Sequence, residues 1–587
     1  MLKLFRFLRP YWWQVIILLL ATGLQVYTTL RLPALMAEII NKGIVPGDTG
    51  YIWMTGIRMI GLTLVSAAGS LISSYFAARV GTAYARDIRR AVFTKVINFN
   101  LLDLKEFSTA SLLTRTTNDV NQVQMVTIML LSIMLRSPLF LVISVIMAMQ
   151  TAPDMSWIIW IGATAIIGSA ILIMSLVMPK FKVFQDLIDK VTLITRENLT
   201  GLKVVRAFDN EKLEKKKFIK NNDKLTKLLI YIDKVLELQN PLINIIFNGT
   251  TLLCSWVGIS LLSKDFAYLG NMTAFAQYVT FVMMSFLMMS MIFVTLPRAN
   301  VSAHRINDVL STKNKIDWLD KTDGVPEKTS SVEFRNVDFC YPEASEKVLD
   351  DISFVAHAGE TTAFIGSTGS GKSTLINLVP RFYEATSGEI LVNGLSVKKY
   401  AKDDLISRIG FVPQRGVLFA GSVKSNIKFG APNASDEQMR KAARIAQAEN
   451  FIEKLPEKYN SHISQGGANV SGGQKQRLSI ARAICKNPDI FIFDDAFSAL
   501  DMKTDARLRE ALKEVTESAV VLIVAQRVST IKDADQIVVL NNGHIVGKGK
   551  HLDLLKSCKI YQEIVKSQLS DKEYAAELRK AKGVKHA

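Results

Sequence analysis

Thr361-Thr-Ala-Phe-Ile-Gly-Ser-Thr-Gly-Ser-Gly-Lys-Ser-Thr374 is the stretch that decides the fold of the C-terminal half of this chain. Residues 361–365 predict a strand. They run straight into glycine-rich punctuation and then into a helix-forming segment from Leu375. The spacing Gly366-x-x-x-x-Gly371-Lys372-Ser373 is that of a phosphate-binding loop set between a strand and a helix. Its glycines let the backbone N–H groups of Gly366, Ser367, Thr368, Gly369, Ser370 and Gly371 wrap phosphate oxygens. Lys372 is expected to reach the β/γ oxygens and the Ser373 hydroxyl to bind Mg²⁺. Thr374 lies in the helix start whose positive end favours anions. The phosphates of a nucleotide and Mg²⁺ are therefore the expected ligands.

Outward from this loop, the chain from about residue 331 alternates short apolar runs with helical patterns, as an α/β domain does. The run 490–493, Ile-Phe-Ile-Phe, ends in Asp494. An aspartate at a strand tip can hold Mg²⁺ against the phosphates. The four cysteines, Cys254, Cys340, Cys485 and Cys558, have neither metal-ligand nor redox spacing.

The N-terminal half is made differently. The chain of 587 residues is 49% hydrophobic and 21% charged, and the charges avoid six long apolar runs. Those runs, 11–40, 52–80, 120–150, 155–180, 238–263 and 268–297, are long enough to cross ~30 Å of hydrocarbon as helices. Residues 1–13, basic and aromatic, read as an interfacial elbow helix. The long connections after the second and fourth runs are basic: Arg86, Arg89, Arg90, Lys95, Lys105 and Arg115 in one, Lys203, Arg206 and Lys215 to Lys217 in the other. Positive charge marks the cytoplasmic side, which puts these loops, both termini and the α/β domain in the cytoplasm. The loops are expected to be helical extensions of the spans, with 101–113 and 202–210 as short crossing helices able to touch a cytoplasmic domain. The net charge of +18 fits that face better than a nucleic-acid partner, because the first-half Lys and Arg sit between apolar runs.

Arg31, Glu38, Arg58 and Arg136 interrupt the apolar runs. Each either marks a functional site or sits at a helix end or water-filled cavity. The methionine-rich stretch 282–293 is either an adaptable cargo surface or packing material. The domain division is 1–310 for the membrane domain, 311–330 for a linker, 331–569 for the α/β domain, and 570–587 for a polar tail, rich in helix formers and lysines and expected as a surface helix that frays.

Between the phosphate loop and Asp494 lies Val470-Ser-Gly-Gly-Gln-Lys-Gln-Arg477. With it the chain resembles the ATP-binding cassette (ABC) family, whose signature is usually Leu-Ser-Gly-Gly-Gln. The resemblance implies that Ser471, Gly472, Gly473 and Gln474 press onto the ATP held by the other cassette of a head-to-tail dimer. It implies that Tyr341 stacks on adenine. Gln414, in Phe411-Val-Pro-Gln414, would meet Mg²⁺ and face the membrane loops, and Ser498-Ala-Leu-Asp501 would cross the dimer interface. The segments 118–119 and 196–208 read like the cytoplasmic loops of an exporter-type membrane domain, so the resemblance covers nearly the whole chain. The implied fold is a six-helix membrane domain with long cytoplasmic helical extensions, followed by an α/β P-loop cassette.

Three residues depart from the family pattern. Asp495 stands where the catalytic glutamate is usual, Gln526 where the switch histidine is usual, and Gln465 where exporters commonly have glutamate. The shorter carboxylate reaches less far toward water, and a glutamine cannot carry a proton as imidazole does. The resemblance then implies a subunit whose own site binds ATP but hydrolyses it poorly, paired in the membrane with a second, non-identical subunit. Multidrug export of hydrophobic or amphipathic compounds is the expected activity. A lipid flippase and a homodimeric exporter are the alternatives.

Overall fold

The structure, a computed structural model, describes residues 1–262, 268–342 and 344–581. The end of the fifth expected span at 263, its connection to the sixth, and residues 582–587 of the expected tail lie outside the described residues. The chain divides into two units, Met1–Asn98 with Phe107–Thr312, and Phe99–Glu106 with Lys313–Ala587.

Among the described residues, the first unit contains six helices long and apolar enough to cross a membrane. The expected spans are parts of longer helices. Thr49–Ile97 has 49 residues, which at 1.5 Å per residue is ~74 Å, more than twice the hydrocarbon thickness. Helices in such a unit gain little from burying apolar surface against one another, so small and polar side chains do the joining. Thr22 meets Ser73 at 2.8 Å and Thr29 meets Ser66 at 2.8 Å, tying Trp12–Glu38 to Thr49–Ile97. The Tyr278 hydroxyl donates to the Leu30 carbonyl at 3.0 Å.

The interrupting charges are resolved individually. Arg136 follows a π-helical turn at Leu130–Met134, opens the helix Arg136–Thr151, and lies 5.1 Å over the Phe140 ring. Glu38 accepts from the Tyr51 hydroxyl at 3.0 Å, while Arg31 and Arg58 are exposed. The methionine-rich stretch is divided: Val282 and Met283 are buried, Met284 and Met288 exposed. The N-terminus forms a 3-10 helix, Leu2–Tyr11, whose Tyr11 hydroxyl donates to Asp87 at 2.6 Å.

The second unit is an α/β domain around a six-stranded sheet. The strand order is His544–Gly549, Gln536–Asn541, Thr361–Gly366, Val520–Val524, Ile490–Asp494, Ile409–Val412. All but the first strand run parallel. Ile490–Asp494 and Val520–Val524 are buried throughout, as strands covered on both faces should be. Phe491 and Phe493 enter one core, Ile490 and Ile492 the other. A smaller sheet, largely antiparallel in Leu349–His357, Ser331–Phe339, Ser387–Val392 and Leu395–Ser396, closes the second core. Because the parallel strands end on one edge, the loops after Gly366, Asp494 and Val524 emerge side by side there.

Two segments make contacts that no sequence pattern shows. Residues 313–330, within the expected linker 311–330, lie along the α/β domain. Ile316 is buried, Trp318 sits 4.7 Å beneath the Arg381 guanidinium, and Asp323 and Glu327 donate backbone hydrogen bonds to Lys399 and Asn393, both at 2.8 Å. The described part of the tail is a packed helix, Asp571–Ala581. Its Tyr574 packs on the core and its Ala581 is buried there. Of the crossing segment expected at 101–113, the helix Leu101–Glu106 belongs to the α/β unit. Leu102 packs on its core, Asp103 accepts from the Lys315 backbone at 3.3 Å, and Lys315 pairs with Glu106 at 2.6 Å. The second segment forms the short helix Leu202–Ala207, with Val204 and Phe208 exposed.

Candidate nucleotide site

The phosphate loop occupies the turn between Thr361–Gly366 and the helix Lys372–Leu378. Two of its glycines are required by space as well as by conformation. A Cβ on Gly366 would come within 2.0 Å of the Leu540 carbonyl oxygen. At Gly371, φ is +96° and a Cβ would meet Leu349 at 2.7 Å and the Val348 carbonyl at 2.9 Å. The Lys372 ammonium donates to the carbonyls of Gly366 at 2.9 Å and Ser367 at 2.7 Å, and to the Ser370 hydroxyl at 3.3 Å. Burial lowers the pKa of Lys372, opposed by the nearby Asp495 and Asp494 carboxylates.

Beside the loop, the tip of Ile490–Asp494 brings two buried carboxylates together. Asp494 Oδ1 accepts from the Ser373 hydroxyl at 2.8 Å. Asp495 stands at φ +48°, with its backbone N–H bonded to the Val524 carbonyl at 2.9 Å. Its Oδ2 accepts from two amides, Gln526 Nε2 at 3.0 Å and Gln414 Nε2 at 3.3 Å. Burial raises the pKa of both carboxyls. For Asp494 the Ser373 hydrogen bond opposes the rise and Asp495 adds to it. For Asp495 hydrogen bonds from Gln414 and Ser498 oppose it.

These groups line one open pocket of about 370 Å³. It contains every expected residue of this chain's own site except Gly366, Ser367 and Ser370, which hold Lys372 instead. Tyr341 stands at the other end, edge-on to Phe339 at 4.9 Å and to Tyr383 at 5.4 Å, with its hydroxyl 3.0 Å from Thr374. Val348 and Val524 also line the pocket, and no motif pointed to them. Val348 immediately precedes a strand and Val524 ends one, and the role of each comes only from its neighbours.

The signature residues lie apart from this pocket. Ser471 caps the helix Gly472–Cys485 reciprocally: its hydroxyl accepts from the Gln474 backbone at 3.3 Å, and Gln474 accepts from the Ser471 backbone at 2.9 Å. Ser471 and Gly472 are exposed, and nothing lies within 4 Å of the place a Gly472 Cβ would take. Asp501 caps the next helix by accepting from the Thr504 backbone at 2.9 Å, and Gln465 is exposed.

A carboxylate and a hydroxyl in contact beside a phosphate loop offer hard oxygen donors, the kind Mg²⁺ takes when it arrives with a nucleotide. Residues 15–286 match the family model of the ABC transporter transmembrane region, and residues 349–498 match that of the ABC transporter. An uncharacterized ABC transporter ATP-binding protein of Mycobacterium tuberculosis (strain CDC 1551 / Oshkosh) is 37% identical over 568 residues, 96% of this chain and 97% of that one. An ATP-dependent lipid A-core flippase of Pseudomonas aeruginosa is 30% identical over 86% of this chain and 84% of its own. The solved structure of a bacterial Atm1-family ABC exporter with ATP bound superposes with a TM-score of 0.79 at 23% identity, covering 95% of this chain and 99% of that one. The chain belongs to the ABC transporter family, with transmembrane and ATP-binding regions fused in one polypeptide: a multi-pass membrane transport ATPase that binds ATP.

Proposed function

We propose that this chain is one subunit of a heterodimeric exporter, in which its own site grips ATP and turns it over slowly while its 471–474 signature completes a hydrolytic site on a non-identical partner. The observation that carries this reading is the state of Asp495. A general base needs a lone pair within reach of the proton it takes. Asp495 is one methylene, ~1.5 Å, shorter than glutamate, and misplacement of about 1 Å can cost on the order of 10²-fold in rate. Its Oδ2 already accepts from the amides of both Gln414 and Gln526. Gln526 can donate to a terminal phosphate but cannot relay a proton.

The binding elements are whole by contrast. Lys372 would neutralise phosphate charge, and Tyr341 would carry the adenine ring. Ser373, Asp494 and Gln414 would hold Mg²⁺, which when bound neutralises charge between the phosphates. The basic loops support a cytoplasmic placement of the cassette and both termini. Hydrophobic or amphipathic compounds, as in multidrug export, are the proposed cargo. The relationship to the Pseudomonas aeruginosa flippase supports a second reading, with lipid as cargo.

The test is ATPase activity of the full-length chain in lipid nanodiscs, alone and co-purified with its partner. Alone it should bind ATP with turnover near background, and the partner should restore turnover. Robust hydrolysis by identical copies, abolished by Asp495→Asn, would overturn the reading and leave a homodimeric exporter.

A further inference from the structure

The loop that carries Gln526 is short of local support. It leaves the strand Val520–Val524 and starts the helix Val528–Ile531, whose N-cap, Arg527, makes no side-chain cap hydrogen bond. Helix starts leave backbone N–H groups without partners, and something must supply an acceptor. Here it comes from forty residues downstream. The Val528 backbone N–H donates to Gln568 Oε1 at 2.8 Å, and Gln568 Nε2 donates to the Gln526 carbonyl at 2.7 Å. One primary amide thus grips the peptide groups on both sides of Arg527, donor to acceptor and acceptor to donor.

Gln568 is itself on a firm base. It ends the helix Lys559–Gln568, where Tyr561 and Val565 are fully buried and the Tyr561 hydroxyl lies 2.7 Å from His551 Nδ1. The next residue, Leu569, packs on the core. At the other end of the relay, the Gln526 side chain reaches Asp495 at 3.0 Å.

We propose that Gln568 is a positioning residue for the nucleotide site: its amide fixes the peptides either side of Arg527 and so aims the Gln526 side chain at Asp495 and at the terminal phosphate of bound ATP. This rests on the reading of Gln526 as a phosphate-contacting residue. It adds to the site a residue from the C-terminal helices, which no phosphate-binding motif contains.

The test compares the affinities of AMP-PNP and ADP, with Mg²⁺, for the full-length chain in nanodiscs. Only the former has a third, γ-phosphate for Gln526 to touch. Gln568→Leu keeps the size of the side chain and removes both hydrogen bonds. It should lower the preference for AMP-PNP over ADP about five-fold, the worth of one or two neutral hydrogen bonds. Gln526→Ala should lower it at least as much, and adding Gln568→Leu to Gln526→Ala should change nothing more. Gln568→Glu supplies a diagnostic that general loosening would not move. Ionised, it turns a carboxylate toward the Gln526 carbonyl and should behave like leucine. Near about pH 5, where a carboxyl begins to hold its proton and can donate again, it should regain part of the preference relative to wild type.

Equal loss of affinity for both nucleotides in Gln568→Leu, or a further drop in the double variant, would overturn the positioning role. An unmoved preference in Gln526→Ala would sink the reading of Gln526 and this inference with it. A lowered preference there beside an unmoved one in Gln568→Leu would sink the inference alone.

Discussion

The phosphate loop and the cluster around Asp495 share one edge of one sheet, yet they are built of different material. The loop is backbone: Gly366 and Gly371 sit where any Cβ would strike main-chain atoms, and Lys372 is pinned to carbonyls. The Asp495 cluster is side chain on side chain, Gln414 and Gln526 on one carboxylate oxygen. A substitution in the loop deforms the turn itself. A substitution in the cluster swaps one set of hydrogen bonds for another and leaves the turn untouched. Grip and chemistry can therefore part company in a cassette of this kind, with grip the harder to lose.

The largest expected effect breaks that separation on the chemical side. Asp495→Glu together with Gln526→His restores a longer base and an imidazole, and should raise turnover at this chain's own site about 10²-fold with nucleotide affinity nearly unchanged. Phosphate release from the nanodisc-embedded chain measures it, and an unchanged rate would place the block elsewhere. On the binding side, Lys372→Ala removes a charge-assisted contact worth ~2 kcal/mol, so ATP should bind about 30-fold more weakly. That loss should exceed any slowing of hydrolysis in the co-purified complex. Equal losses would mean that the two regions are not separable.

The smallest effect concerns the base on which Gln568 stands. Burial lowers the pKa of His551. Glu577 and Asp533 oppose the shift, while Lys532 and Lys580 add to it. Since its folded pKa is depressed, His551 contributes stability above the ordinary histidine range that is lost as pH falls through the folded value. Thermal melting followed between neutral and mildly acid pH should show a destabilisation on the acid side that His551→Gln flattens. His551 does not line the nucleotide pocket, so nucleotide affinity should be the same in wild type and variant.

Much of this site was legible in the sequence, because its parts are runs. The glycine spacing of 366–374 and the apolar run ending in Asp494 are each local, Gln526 was found only through the family resemblance, and the parallel sheet does the rest by ending its strands together. The apolar spans were legible for the same reason. The remainder depends on pairings between distant segments, which no local period encodes. Asp103 and Lys315 are 212 residues apart, and Gln526 and Gln568 are 42 apart. Val348 and Val524 read as ordinary strand residues until the pocket encloses them. In the tail the helix itself was legible from its helix formers, but the packing of Tyr574 and Ala581 on the core was not.

The helix Leu101–Glu106 has a consequence for how the cassette can be cut. The polypeptide enters the α/β unit once at 99–106, leaves for some two hundred residues, and returns at Lys313. A fragment excised after Thr312 is therefore an amputation rather than a module. It abandons the apolar seat of Leu102 and strips Lys315 of both acidic neighbours. The scar is a bare, sticky patch, and the natural dressing for it is the eight-residue stretch left behind.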